Sequence, residues 1–190
     1  MKPILFNTEM VRAILEGRKT VTRRPVKPQP AGELRRMGAD SCYPGCFAAE
    51  GEDRVYRPPY MAGDVLYVRE TWAELPVSPG GHFRPNGVYY YKAGPEEAPE
   101  GYMKRWRPSI HMPREAARIF LRVTAVGAER LQEIDDFGVE AEGLEIGCYF
   151  DELWDSTIKP KNRSTYGWEA NPWVWMIEFE QIRREEAGAT

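Results

Sequence analysis

The sequence predicts a mixed α+β fold that consists mostly of β-structure. About five or six segments have the β-branched and aromatic composition of strands, whereas only two or three short segments show helical periodicity. These segments do not alternate in the way that parallel βαβ folds require. We therefore expect a small, mostly antiparallel barrel or open sheet, with short helices at its ends and long loop insertions.

The N-terminal part predicts a strand at 3–6 followed by an amphipathic helix. Thr8 is the candidate N-cap because its hydroxyl can accept a hydrogen bond from the first turn. Four apolar residues recur at helical spacing and are expected on one buried face: Met10, Val11, Ile14 and Leu15. Gly17 is expected to end the helix in the left-handed conformation, and a β-prone segment over 20–25 follows.

The remaining elements are separated by Pro- and Gly-rich stretches. Strands are expected over 65–72, 88–92, 118–126 and 172–180, and helices over 131–142 and 150–158. The candidate buried residues of the first of these helices are Ile134, Phe137, Val139 and Ala141. The segments near 26–60 and 74–104 lack periodicity and are predicted to be loop insertions.

Length, charge and cysteine content bound the class of protein. The 190 residues fit a single domain over 1–182 with a polar C-terminal tail over 183–190. A net charge of −3 argues against a protein that coats duplex nucleic acid, because phosphate neutralisation needs a basic surplus. With no long apolar stretch, no membrane partner is expected, and three cysteines without a signal peptide favour the cytoplasm. The oligomeric state is left open.

The run from Gly17 to Arg24 is the most informative motif. It holds a lysine, two threonine hydroxyls and three arginines within eight residues. A lysine beside a hydroxyl can form a nucleophile–base pair, and arginines can hold an anion or a planar polar group. The motif therefore indicates a small active site or the mouth of a nucleotide pocket, with a solvated basic strand edge as the structural alternative.

Five segments together resemble the ASCH domain, a branch of the PUA-like β-barrel superfamily. They are Ile4–Phe6, Gly17–Arg24, Gly63–Trp72, Arg107–Pro113 with the strand over 118–126, and Asn171–Trp175 with its strand. The versions with Ser-Ile-His-Met-Pro and Asn-Pro-Trp-Val-Trp are similar to proteins often found in bacteriophages and prophages. The resemblance implies a PUA-like small β-barrel.

The resemblance also implies an activity. Some small bacterial members are amidohydrolases that remove the acyl group from N4-acetylcytidine, and their lysine, threonine and glutamate match Lys19, Thr22 and Glu142. No cofactor or metal is expected, and Cys42 and Cys46 with His82 or Cys148 make only a weak candidate zinc set. The expected substrate is a modified nucleoside or a short single-stranded RNA, with the acyl group left open.

Amide hydrolysis assigns a role to each of these side chains. Thr22 supplies a nucleophilic hydroxyl, and Lys19 acts as its base if burial or neighbouring arginines lower its pKa. If Lys19 stays charged, it donates to the oxyanion and water attacks instead. Glu142 at a helix C-terminus is expected to be the general acid, since the helix dipole disfavours its ionised form there.

Five further residues are substrate-binding candidates: Arg23, Arg24, Glu70, Trp72 and His111. Arg24 can hold a carbonyl or phosphate, or form a surface salt bridge, and Trp72 can stack on a base or pack in the core. His111 is more readily explained as a structural histidine that bonds to the backbone. The alternative functions are a non-catalytic module that binds RNA or a modified base and, with less support, a ribonuclease.

Overall fold

The computed structural model describes residues 1–74, 89–94, 105–145 and 147–188. Within these ranges the fold is mixed α+β, mostly sheet, with four short helices. The strands are β1 Lys2–Leu5, β2 Val21–Pro25, β3 Leu34–Arg36, β4 Phe47–Ala49, β5 Val55–Tyr56, β6 Val65–Arg69, β7 Trp72–Glu74, β8 Tyr89–Tyr91, β9 Phe120–Arg130 and β10 Trp173–Ile182. The α-helices are α1 Thr8–Leu15, α2 Asp136–Ala141, α3 Phe150–Thr157 and α4 Arg163–Tyr166.

The largest sheet has five strands in the order β1-β6-β9-β10-β2. β1 runs parallel to β6, while β6–β9 and β10–β2 are antiparallel. β1 and β2 are the edge strands, so among the described strands the sheet is open, and the predicted closed barrel is not formed. Side chains, rather than another strand, bond to the outer edge of β2, so the sheet does not close on that side.

The chain divides into two compact units. The first unit comprises Met1–Gly17, Val65–Arg122 and Gln181–Thr190, and the second comprises Arg18–Asp64 and Val123–Glu180. β9 and β10 each contribute residues to both units. None of the helices within the described ranges has the length and apolar character needed to cross a membrane.

The first unit contains α1, whose position agrees with the predicted helix. The N-cap is Asn7, one residue before the expected Thr8, and its side-chain oxygen accepts from the Met10 N–H at 2.8 Å. Gly17 follows the helix with φ of +76°, as predicted for a left-handed C-terminal residue. One core cluster of this unit consists of Trp72, Met112, Ala116, Ala117, Phe120, Ile182 and Ala187. The segment predicted to be a polar tail thus buries Ala187.

The second unit contains two elements that sequence reading mispredicted. Part of the segment 26–60 forms the small antiparallel sheet β3-β4-β5, where only a loop was expected. The helix expected over 131–142 is instead a 3-10 turn at Leu131–Glu133 followed by α2. Asp135 starts α2 because its side chain accepts from the Gly138 N–H at 2.7 Å. Phe137, predicted to be buried, is 80% exposed.

The other predicted elements agree with the structure in type. β9 and β10 extend the predicted strands at their C-terminal ends, to Arg130 and Ile182. The strand expected over 65–72 is divided into β6 and β7, and α3 lies in the predicted second helix. The insertion expected near 74–104 lies mostly outside the described residues.

Candidate functional site

The site is built on the outer edge of β2, within the second unit. In an antiparallel pair, successive residues direct their N–H and C=O groups alternately toward and away from the partner strand. The Val21 C=O accepts a hydrogen bond from Lys19 Nζ at 2.8 Å, and the Arg23 N–H donates to Glu142 Oε1 at 2.8 Å. Lys19 and Glu142 therefore satisfy the backbone groups of the edge strand that face away from β10.

Lys19 is buried, with 2% of its surface exposed. Its ammonium donates to the Val21 carbonyl at 2.8 Å, to the Glu142 carbonyl at 2.9 Å, and to Glu142 Oε2. Burial lowers the pKa of Lys19, while the attraction of the Glu142 carboxylate opposes that shift. Arg24 and Arg23 lower this pKa further, so the lowered pKa that the base role requires is present. The three acceptors around Nζ suit the charged form, and the choice between base and oxyanion donor stays a prediction.

Glu142 is the C-terminal cap residue of α2 and is 6% exposed. Gly143 follows with φ of +84°, which allows the chain to turn back there. One carboxylate oxygen accepts from Lys19, and the other accepts from the Arg23 N–H and, at 3.4 Å, from Arg23 Nη1. Both carboxylate oxygens therefore accept hydrogen bonds from within the protein, and the expected general-acid role of Glu142 stays a prediction.

The Arg23 guanidinium donates hydrogen bonds to acceptors within the protein. Its Nε donates to Glu129 Oε1 at 2.6 Å, and its Nη1 lies 3.4 Å from both the Gly138 carbonyl and Glu142 Oε1. Arg23 is 5% exposed and its guanidinium has partners within the protein, while its predicted contact with substrate stays a prediction. Sequence reading missed Glu129 because it ended the strand at 126, four residues before β9 ends.

Thr22 lies on β2 between Val21 and Arg23, and it pairs with Ile177 of β10. It is 2% exposed, and its hydroxyl makes no hydrogen bond to any residue in the described part of the chain. Because side chains alternate along a strand, Thr22 and Arg24 share one face of β2 and Arg23 the other. The predicted Lys19–Thr22 hydrogen bond is therefore not formed in this structure.

Arg24 and Tyr60 are half-buried and interact electrostatically with each other. Burial lowers the pKa of Arg24, and the nearby Glu142 and Tyr60 oppose that shift. Burial likewise raises the pKa of Tyr60, with Arg24 acting against it. Tyr60 was not predicted as a site residue, since it follows two prolines in a segment expected to be loop.

Glu70 and Trp72 belong to the first unit and have partners there. Glu70 is 1% exposed and forms a two-point ion pair with Arg118, both distances being 2.9 Å. Trp72 is 2% exposed, with the Arg107 guanidinium 5.0 Å from its ring centre and Tyr89 packed edge-on at 5.7 Å. This ring has no open face for a base, so the core interpretation of Trp72 applies.

The remaining candidate residues are His111 and the three cysteines. His111 is exposed in the 3-10 turn Ser109–His111, where its backbone N–H bonds to the Pro108 carbonyl at 3.0 Å. Cys46 is buried, Cys42 and Cys148 are exposed, and His82 lies outside the described residues. Over the described ranges, no three His, Cys, Asp or Glu side chains group as a metal site would require.

Comparisons with known proteins give one similar structure. No protein-family model matches the chain, and no curated protein matches it. The crystal structure of protein EF3133 from Enterococcus faecalis V583, with the family model DUF984, aligns with a TM-score of 0.47 and 9% sequence identity. The alignment covers 96% of this chain and 81% of the other.

Proposed function

We propose that this protein is an amidohydrolase of the ASCH type that removes the acyl group from N4-acylated cytidine or a related modified nucleoside. The observation that carries the proposal is the buried ion pair between Lys19 and Glu142, which lies on the edge of the strand that holds Thr22. Buried ionisable pairs beside a nucleophilic hydroxyl are characteristic of catalytic sites. We further propose that the protein acts in the cytoplasm on a free nucleoside or short single-stranded RNA.

We assign the proton-acceptor role to Glu142, whose carboxylate oxygens accept hydrogen bonds, and the electrophilic role to Lys19, whose ammonium donates them. The Thr22 oxygen attacks the acyl carbon while Glu142 accepts the hydroxyl proton. The C–N bond then breaks, and the exocyclic nitrogen takes that proton from Glu142. Water hydrolyses the resulting ester by the same proton path, which releases the acid and restores Thr22. To donate to the oxyanion, Lys19 exchanges one of its carbonyl acceptors for the substrate oxygen.

The formal charge of the cluster suits a developing oxyanion. Lys19, Arg23 and Arg24 are three cations, and Glu129 and Glu142 are two carboxylates, so these five side chains carry one net positive charge. Donors fixed in place before the reaction stabilise transition-state charge without reorganisation, and removal of one such donor typically costs about 3–4 kcal/mol. Arg24 is half-buried and so can contact both the substrate and the cluster.

Turnover of N4-acetylcytidine to cytidine, followed by absorbance, tests the proposal. Thr22→Val removes the hydroxyl but keeps the side-chain shape and breaks no hydrogen bond to a described residue. We expect it to abolish turnover while the melting temperature stays close to that of the wild type. The matched control is Thr20→Val, because Thr20 is exposed in the same motif. No turnover by the wild type at any pH would refute the proposal.

A second candidate is a non-catalytic module that binds the same class of ligand. One observation favours it, namely that the three donors of Lys19 and both oxygens of Glu142 already have partners within the protein. A binding module predicts no turnover, affinity for a modified nucleoside that survives Thr22→Val, and weaker binding after Arg24→Met. Calorimetric titration of these variants with N4-acetylcytidine separates the two functions.

A further inference from the structure

Glu129 is a partly buried charge partner that the proposed chemistry does not yet use. Its carboxylate Oε1 accepts from Arg23 Nε at 2.6 Å, and its side chain is 22% exposed. The same guanidinium approaches Glu142 Oε1 with Nη1 at 3.4 Å. The distances show that Arg23 is bonded closely to Glu129 and only loosely to Glu142.

We propose that Glu129 is a positioning residue that acts on Glu142 through Arg23, an inference that rests on the proposed amide hydrolysis. Arginine and carboxylate normally form a short two-point pair. A pair of that kind between Arg23 and Glu142 would stabilise the carboxylate and weaken it as a base. Glu129 prevents this because it holds the Nε side of the guanidinium, which leaves Glu142 one long contact with Nη1.

The backbone of β2 and α2 fixes the rest of this arrangement. The Arg23 N–H donates to Glu142 at 2.8 Å and Nη1 points to the Gly138 carbonyl at 3.4 Å, so the guanidinium lies against α2. Loss of Glu129 frees the guanidinium to turn about these contacts. We expect it to move onto Glu142 and to compete with Lys19 for the carboxylate.

Several charged or titratable groups lie on the elements around Glu142. Lys19 precedes β2, Arg23 and Arg24 lie on β2, and Glu129 lies on β9. Tyr60 interacts electrostatically with Arg24, and Asp64 with Tyr60. Of these, only Glu129 bonds to Arg23 from the side away from Glu142, which makes it the informative position for substitution.

The test is Glu129→Gln, which keeps the size and an oxygen acceptor but removes the charge. We expect kcat for N4-acetylcytidine to fall by about tenfold to a hundredfold, as misplacement of a reacting group does, with KM changed less than about twofold. The control is Glu140→Gln, on the exposed side of α2, which should change neither quantity.

A purely structural Glu129 gives a different result. It predicts a lower melting temperature with kcat per folded molecule unchanged, and that outcome overturns the proposal. If the wild type shows no turnover, the proposed function fails, and crystal structures of Glu129→Gln and Glu140→Gln decide the positioning contact separately. A distance from Arg23 Nη1 to Glu142 Oε1 clearly shorter than 3.4 Å in Glu129→Gln, but not in Glu140→Gln, supports the contact, and an unchanged distance overturns it.

Discussion

Removal of one partner from the Lys19–Glu142 ion pair should destabilise the fold strongly. Glu142→Leu leaves the Lys19 ammonium, whose side chain is 0% exposed, with backbone carbonyls in place of its carboxylate partner. An uncompensated buried charge of this kind costs about 3–5 kcal/mol in the free energy of unfolding. Since domains are stable by about 5–15 kcal/mol, this variant is expected to be marginally folded.

Lys19→Met should cost less, because Glu142 keeps other donors. The Arg23 N–H at 2.8 Å and the Arg23 guanidinium remain, so the loss approaches that of one charged hydrogen bond, about 1.5–3 kcal/mol. The double variant Lys19→Met/Glu142→Leu removes both charges together. Its cost should be smaller than the sum of the single costs by about 2 kcal/mol or more, since the two residues are in contact.

Urea unfolding of the wild type and the three variants measures these differences. The surface pair Glu9–Arg12 is the control, since its side chains are 78% and 47% exposed, and Arg12→Met should cost at most about 0.5 kcal/mol.

The pH dependence of the free energy of unfolding supplies a second check. Burial lowers the pKa of Lys19, so the unfolded chain binds more protons between that lowered value and 10.5. Stability should therefore rise with pH in this window, and Lys19→Met should abolish that contribution.

Additive single costs, or a Glu142→Leu cost below about 1 kcal/mol, would refute this reasoning. Either result would mean that Lys19 and Glu142 do not form a coupled, desolvated pair in solution. The site would then lack the buried charges on which the proposed chemistry depends.

Two further predictions concern single positions. In Gly138→Ala, the added Cβ would lie 2.9 Å from both Arg23 Nη2 and Ile134 Cγ1, so we expect the Arg23 side chain to shift. Turnover should fall about tenfold, while the free energy of unfolding stays within about 1 kcal/mol of the wild type. Unchanged kinetics would contradict this prediction. Burial raises the pKa of Tyr91 to about 12 from 10.0, so the native state keeps the phenol proton at pH values where the unfolded chain has lost it. The free energy of unfolding should therefore fall between pH 10 and 12. Tyr91→Phe should remove that alkaline loss in urea unfolding and Tyr90→Phe should not, whereas equal slopes in both variants would count against it.

Local signals in the sequence predicted the longer elements well. α1 has helical periodicity and a glycine at its end, and β9 and β10 are continuous runs of β-branched and aromatic residues. The sheet β3-β4-β5 was missed because its strands have two or three residues, too few to show alternation. The helix over 131–142 was predicted too long, because Asp135 starts a new helix within an apparently continuous pattern.

The candidate site depended more on the resemblance than on local pattern. The resemblance to the ASCH domain grouped Lys19, Thr22 and Glu142 as one set, and the structure has Lys19 and Glu142 in contact across 123 positions of sequence. Their catalytic role stays a prediction. Periodicity cannot identify Glu129 or Tyr60, since their importance comes only from the neighbours that tertiary folding gives them. Glu70 and Trp72 are the opposite case. Their residue types suit a ligand site, but in the structure both side chains are buried and interact with other residues of the protein.

The most direct test of the central claim is the rate of cytidine release from N4-acetylcytidine by Thr22→Val compared with Thr20→Val. The account predicts that Thr20→Val keeps the wild-type rate and that Thr22→Val, folded and equally stable, loses it. Equal rates in the two variants would contradict a catalytic site built on Thr22 beside the buried Lys19–Glu142 pair.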